Sequence, residues 1–310
     1  MKDVAIIGAG PAGLSAALYA ARAGLSVQVF DAMGGGGQLT EIAEIENYIG
    51  VGRVTGQGLA ASCLGEARSA GAEIVTKGIE RVEKNGLFFS LFSGKERYEA
   101  RTVILANGAR PRHLGASGEQ ELLGRGVSYC ALCDGRFFVG KSVAVVGGGN
   151  SAFAEALYLS RIAATVHIVH RSKQFRGERS VLERLEAIPN VVFHPDRIVS
   201  AIRGDECVEA LSLKCTDTGK AEPLRVSGVF IAIGREPQNA PFAPLFPLDA
   251  QGYVITDESC ACAANGLFAA GDTRAKALRQ ISTAVADGAN AAESARRYLA
   301  RRAFVPLGKK

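Results

Sequence analysis

Val4-Ala5-Ile6-Ile7-Gly8-Ala9-Gly10-Pro11-Ala12-Gly13 opens the chain, and Ser142-Val143-Ala144-Val145-Val146-Gly147-Gly148-Gly149-Asn150-Ser151-Ala152 repeats its grammar. Each stretch runs from an apolar, β-favouring segment through a glycine-rich turn into a helix-forming one, Leu14 to Ala23 after the first and Phe153 to Ser160 after the second. A further strand-like run follows each, Val27 to Asp31 and Thr165 to Val169. Strand, glycine turn, helix and strand make a dinucleotide-binding unit, and this chain carries it twice. The expected fold class is α/β, with two Rossmann-like dinucleotide-binding domains.

Composition agrees with that expectation. The chain has 310 residues, of which 47% are hydrophobic and 22% charged, with 37 glycines and no tryptophan. That is a globular composition at a length where chains commonly split into two domains, and it excludes disordered, collagen-like and small disulfide-stapled classes. The net charge of +5 is spread along the chain, so nucleic acid is not an expected partner. No apolar run approaches the ~20 residues of a membrane span, and the first residues lack the features of a secretory leader. A cytoplasmic location without a membrane partner is the expectation. Of seven cysteines only Cys130 with Cys133 and Cys260 with Cys262 stand close together, which points to redox or metal chemistry and not to a secreted disulfide framework.

The connections suggest that one domain is inserted in the other. Four of the ten prolines fall between Pro237 and Pro247, which suits an extended crossing better than a helix or central strand. The tail from Gly252 to an alanine-rich helix ending near Tyr298 resembles neither copy and is expected to return to the first domain. The boundaries read from this are 1–112 and 240–310 for the first domain and 113–239 for the second.

Each glycine has a physical task in the first motif. Gly8 permits the turn off the strand, Gly10 clears space for backbone N–H groups to approach a pyrophosphate, and Gly13 lets helix and strand close, with Pro11 and Ala12 between them. Asp31, ending the next strand, stands where an acid accepts hydrogen bonds from a ribose. In the second motif Gly147, Gly149, Asn150 and Ser151 lead to Ala152 at the close-packing position, and the following strand ends in His170-Arg171-Ser172-Lys173-Gln174-Phe175-Arg176. An acid there would repel a 2′-phosphate and guanidinium groups would bind one, so Arg171, Lys173 and Arg176, with His170 beside them, favour NADP(H) over NAD(H). A solvated basic loop is the plainer alternative. Cys130-Ala131-Leu132-Cys133 has the spacing of a pair that cycles between dithiol and disulfide; half of a zinc site is the competing reading, with no suitably spaced second pair to complete it. Asp134, next to the pair, is the candidate general acid. Cys260 and Cys262 read as packing residues.

Gly126 to Gly135, set just before the second dinucleotide motif, resembles the active-site segment of low-molecular-weight thioredoxin reductases. The likeness extends through Gly36-Gly37-Gln38-Leu39-Thr40, Glu46-Asn47-Tyr48, Ala106-Asn107-Gly108-Ala109, His170-Arg171 with Phe175-Arg176, Gly266 to Asp272, and Arg279-Gln280. It implies an FAD domain made from both ends of the chain, a central NADPH domain carrying the cysteines, and a homodimer. By the same resemblance Gly37, Gln38, Leu39, Asn47, Ala106, Gly108, Gly271, Asp272, Arg279, Gln280 and Ile281 serve FAD, while Ile233 and Gly234 serve NADPH. The implied activity passes electrons from NADPH through FAD to the Cys130–Cys133 disulfide and on to thioredoxin, with Asp134 protonating the released thiolate. With the cysteines and the NADPH site in one domain, that domain is expected to rotate about crossings near 110–116 and 236–246 between half-reactions. The chain departs from the family pattern at Ser172, where a second arginine is often found and where Lys173 or the Ser172 hydroxyl is expected to compensate in part, at Asn107 for threonine and at Asn150 for aspartate. Alternatives are an NADH- or ferredoxin-driven reductase of a thioredoxin-like, glutaredoxin-like or peroxiredoxin partner, a flavin-dependent dithiol oxidase, and a redox sensor or zinc-binding adaptor. Gly34-Gly35-Gly36 is richer in glycine than this reading requires.

Overall fold

A computed structural model describes residues 1–42 and 44–303 of the chain. Two compact units result, one from Met1–Arg110 with the chain from Glu236 onward, the other Pro111–Arg235.

In the first unit, β1 (Lys2–Ile7) is buried from Val4 to Ile7, as a parallel strand covered on both faces must be. Helix α1 (Pro11–Arg22) starts at Pro11, earlier than the apolar pattern suggests, because Gly10 is the extended N-cap and proline fits a first helical turn. Strand β2 (Val27–Phe30), α2 (Gly56–Ser69), β3 (Glu73–Val75), β4 (Arg81–Asn85), β5 (Phe88–Ser93) and β6 (Glu96–Leu105) complete the N-terminal part. Thr55 caps α2, its hydroxyl accepting the Gly58 N–H at 3.0 Å. The chain then passes along β7 (Ala109–Pro111) into the second unit.

That unit contains β8 (Val127–Ser128), the single turn α3 (Ala131–Asp134), β9 (Ser142–Val146), α4 (Asn150–Leu159), β10 (Thr165–Val169), α5 (Arg179–Glu186) and β11 (Val191–His194). A hairpin sheet of β12 (Arg197–Arg203), β13 (Ala210–Cys215) and β14 (Ala221–Arg225) precedes β15 (Gly228–Ile231). The parallel sheet has the order β11-β10-β9-β15-β8. Its two faces are filled separately, one by Val127, Val146 and Leu213 among others, the other by Phe153, Leu159 and Phe230.

The return runs along β16 (Arg235–Pro237), then β17 (Leu267–Ala269) and α6 (Ile281–Ala303). β17 pairs with the second half of β6, whose first half pairs with β5, giving the order β3-β2-β1-β6-β5-β4 with β17 beside β6. Alanines 16, 17 and 20 of α1 and 291, 292 and 295 of α6 belong to one buried cluster, which explains the alanine content of both helices. The proline-rich return is less extended than expected: Ala240–Phe242 forms a 3₁₀ turn. Phe242 and Phe246 are buried there with Phe30 and Leu91, and this burial outweighs the extended bias of the prolines. Among the described residues no helix is long and apolar enough to cross a membrane.

Candidate redox site and nucleotide cradles

Both glycine turns have the shape a pyrophosphate needs. Gly8 sits at φ +103°, where a Cβ would lie 2.4 Å from the Ala106 carbonyl oxygen. A Cβ on Gly10 would meet only the Gly37 Cα, at 3.9 Å, so that side of the turn is open. The second turn repeats the contrast: a Cβ on Gly147 would lie 2.4 Å from the Ala232 carbonyl oxygen, and one on Gly149 would meet nothing within 4 Å. A closed back and an open front fit a bound diphosphate against the helix start. Ser151 is exposed in the first turn of α4, while the Asn150 Oδ1 accepts the Glu178 N–H at 2.7 Å.

Asp31 braces the first cradle. Its Oδ2 accepts the Ala9 N–H and its Oδ1 the Met33 N–H, both at 2.9 Å. The unexplained glycines lie over the same turn. Gly34, Gly35, Gly36 and Gly37 all have positive φ, the Gly36 N–H donates to the Ala9 carbonyl at 2.7 Å, and a Cβ on Gly36 would come within 2.7 Å of Thr40 and 2.9 Å of Ala60. At Gly35, Gly36 and Gly37 a side chain would press on α2, on Thr40 or on the Gly10 backbone, whereas Gly34 has room and only its positive φ favours glycine.

Residues far apart in sequence meet around this cradle. Leu39 is buried, the Gln38 Nε2 donates to the Ala109 carbonyl at 3.1 Å, and Gly108, at φ +70°, faces Gln38. Ala106 is buried at the end of β6, next to Asn107, whose Nδ2 donates to the Gln238 carbonyl at 3.0 Å. The Asn47 Nδ2 donates to the Gln280 Oε1 at 3.2 Å, one residue before Ile281 opens α6. The Arg279 guanidinium lies 4.1 Å over the Tyr253 ring. Gly271 and Asp272 form a 3₁₀ turn, and the Gly271 N–H donates to the Asp287 Oδ2 at 3.0 Å. Asp287 was not singled out by sequence reasoning. It is buried on α6 and ion-paired with Arg274 at 2.7 Å and Lys276 at 2.8 Å. An acid set among alanines on a buried helix face was the available signal.

In the second unit Cys130 and Cys133 form a disulfide, with their Cα atoms 5.3 Å apart. The Cys133 N–H points at the Cys130 Sγ, 3.2 Å away. The Ser128 hydroxyl donates to the Asp134 Oδ2 at 2.6 Å. Burial pushes the Asp134 carboxyl above its ordinary range, and the Ser128 bond offsets this in part. Ser128, another residue the sequence did not single out, thus fixes the acid beside the disulfide. Leu132, between the two cysteines, and Phe137 and Val139, shortly after them in the chain, are exposed apolar residues. Cys260 is buried in the first unit and Cys262 is half-buried there; burial raises both thiols to about 12, which fits packing residues.

At the end of β10, His170 is buried beneath the second cradle, its ring against Gly148 and its Nε2 3.2 Å from the Gln174 carbonyl. Burial lowers its pKa, so the ring supports the turn as a neutral group. Arg171 and Arg176 are exposed, and among the described residues neither forms an ion pair with a carboxylate. Lys173 instead stands 3.8 Å from both Asp196 and Asp217, and the Ser172 hydroxyl accepts the Gln174 N–H. Neither replaces the missing arginine freely. Ile233 and Gly234 follow β15, where the Gly234 carbonyl accepts the Arg112 N–H at 3.0 Å.

The pattern of the pyridine nucleotide-disulphide oxidoreductase family matches residues 2–288. A thioredoxin reductase of Listeria innocua is 43% identical over 298 residues, covering 96% of this chain and 93% of that protein. The crystal structure of thioredoxin reductase from Streptococcus pyogenes superposes with a TM-score of 0.93 at 40% identity, covering 97% of this chain and 99% of that one. Lactococcus lactis thioredoxin reductase in its FR conformation gives a TM-score of 0.67 at 35% identity, covering 97% and 100%. With two nucleotide cradles and a Cys130–Cys133 disulfide on its fold, the chain belongs to the pyridine nucleotide-disulphide oxidoreductase family, among its low-molecular-weight thioredoxin reductases.

Proposed function

We propose that the chain reduces thioredoxin with NADPH, using the first unit to bind FAD and the second to bind NADPH and carry the exchanging disulfide. The observation that carries this reading is the Cys130–Cys133 disulfide beside an acid held by Ser128, in the unit whose nucleotide strand is followed by the exposed Arg171 and Arg176, which pair with no carboxylate among the described residues. FAD held by the first unit would relay two electrons from nicotinamide to the disulfide.

In this reading Gly8, Gly10, Pro11, Ala12 and Gly13 wrap the flavin nucleotide's pyrophosphate, and Asp31 has lone pairs left for its ribose after bracing Ala9 and Met33. Gly37, Gln38, Leu39, Asn47, Ala106, Gly108, Gly271, Asp272, Arg279, Gln280 and Ile281 line the rest of that site. Gly147, Gly149, Asn150, Ser151, Ile233 and Gly234 hold the NADPH pyrophosphate and its surroundings. His170 supports the turn from below, and Arg171 and Arg176 take the 2′-phosphate. When the disulfide opens, Asp134 gives a proton to one sulfur. A thiolate of the pair then attacks the partner disulfide, forming a mixed disulfide and releasing a partner thiolate. The second cysteine attacks the mixed bond, which restores Cys130–Cys133 and frees the partner as a dithiol.

Because the cysteines and the second cradle share a unit, the reading requires that unit to turn between half-reactions, with residues near 110–116 and 236–246 as hinges. Solved relatives of nearly equal identity and coverage superpose at 0.93 and 0.67, a spread that sequence drift alone does not account for and that supports such motion. A homodimer is part of the same proposal and rests on the family resemblance.

The donor assignment is tested by binding. Arg171→Ala is expected to weaken NADPH by roughly tenfold, the size of one lost charge-assisted contact, and to leave NADH within about twofold. Equal weakening of both nucleotides would remove the 2′-phosphate role and favour an NADH-driven reductase, the reading that Ser172 and the engaged Lys173 leave available.

A further inference from the structure

α3 and α4 pack closely along the second unit. A Cβ on Gly135 would come within 2.7 Å of the Tyr158 ring and 3.1 Å of Leu159, so the end of α3 rests on the last turn of α4. One turn back along both segments, the Glu155 carboxyl reaches the backbone N–H of Ala131, the residue that follows Cys130. The Glu155 Oε2 is sealed from solvent and has no hydrogen-bond partner among the described residues. A carboxylate with one unsatisfied, desolvated oxygen beside a redox disulfide is costly for packing alone.

We infer that Glu155 is a positioning residue for the dithiol: its protonation is coupled to that of Cys130 and Cys133, so that it takes up a proton when the reduced pair holds a thiolate. Two electrons break the S–S bond. One proton from solvent, delivered through Asp134, goes to one sulfur, the other sulfur remains a thiolate, and a second solvent proton neutralises Glu155. When the thiolate is consumed by exchange, Glu155 releases that proton. Glu155 reaches the N–H of the residue that follows Cys130, and two negative charges held at adjoining residues disfavour each other, which is the source of the coupling. The inference rests on the dithiol role of Cys130 and Cys133 given above.

Burial sets the working range, raising the Glu155 carboxyl to about 7, against the opposing pull of the Ala131 N–H and of Arg235. Among the described residues, Arg235 is the charged group that acts on it. Asp134 on α3 is turned to Ser128, Tyr158 lies one turn along α4 against Gly135, and Arg179 and Glu183 on α5 pair with each other. Arg184 and Glu186 of α5 and His167 of β10 complete the set on elements that pack on α4.

The test is the pH profile of alkylation at Cys130 and Cys133 in the full flavin-loaded protein, reduced anaerobically with dithiothreitol and freed of it. Modification by iodoacetamide is read peptide by peptide, because Cys207 is also exposed. The wild type is expected to show two inflections, one near neutrality. Glu155→Gln, which keeps the shape, is expected to show a single inflection displaced to lower pH, and a rate between neutrality and the wild-type thiol inflection raised by roughly fivefold, as thiolate forms more readily without a nearby charge. Glu155→Asp is expected to keep two inflections. Profiles for Glu155→Gln that follow the wild type within about twofold at every pH would overturn the inference, as would the same loss in the Asp and Gln variants. A pair that never becomes alkylatable after reduction would overturn both the inference and the dithiol role beneath it.

Discussion

At the scale of single residues, the site depends on groups that hold other groups. Asp287 receives the Gly271 N–H and compensates Arg274 and Lys276, whose side chains are only 13% and 10% exposed. Asp287→Ala would leave two largely buried cations without their partner, at a cost of about 3–5 kcal/mol, the range measured when one member of a buried pair is removed. The denaturation midpoint should fall accordingly, and flavin absorbance per chain should drop because the Gly271 turn loses its anchor. Asp287→Asn, which can still accept the Gly271 N–H, should retain more flavin than Asp287→Ala; wild-type flavin content in both variants would contradict this role. Asp31 was legible from its place at the end of a strand. Its bonds to Ala9 and Met33 were not, since only the folded turn brings those N–H groups to it. Asp287 left only the signal of an acid among alanines and Ser128 left none, because each acts on a partner several residues or elements away.

At the scale of elements, hydrophobic run and glycine spacing located β1, β9 and β10 because parallel central strands are apolar throughout, and this signal is local. The 3₁₀ turn at Ala240–Phe242 escaped because Phe242 and Phe246 find their core only in the folded unit. Gly34 to Gly37 required the structure too, since nothing local says that α2 and the first cradle close on that segment. Between β10 and β11 the His167 Nδ1 lies 3.0 Å from the His194 Nε2. Burial, with a smaller contribution from His194, lowers His167 from 6.5 to about 4, and burial lowers His194 as well. Both folded pKa values lie below the unfolded ones, so the unfolded chain binds protons that the folded unit refuses. Stability is therefore lost as pH falls from 6.5 toward 4 and is unaffected by this pair above that window. Thermal melts between pH 7.5 and 5 should decline more steeply for the wild type than for His167→Gln, and parallel declines would show that the pair has no such effect.

At the scale of the whole molecule, a doubled sequence motif became two units with one cradle each, and the disulfide belongs to the second. Chain order made that division legible, because the redox pair stands between the two glycine motifs in sequence. The acid–serine pairing depends on how α3 folds back on β8, and the second carboxyl at Glu155 on how α3 lies against α4, which no local pattern encodes. The central claim is that electrons from NADPH reach Cys130–Cys133 through a flavin in the same chain. Anaerobic titration of the flavin spectrum with NADPH tests it most directly, with Cys133→Ser as the comparison and NADH as the control donor. The wild type should consume roughly two equivalents per chain, one for the flavin and one for the disulfide, and Cys133→Ser roughly one. Equal consumption by the two proteins, or a flavin that NADPH leaves oxidised, would contradict the account.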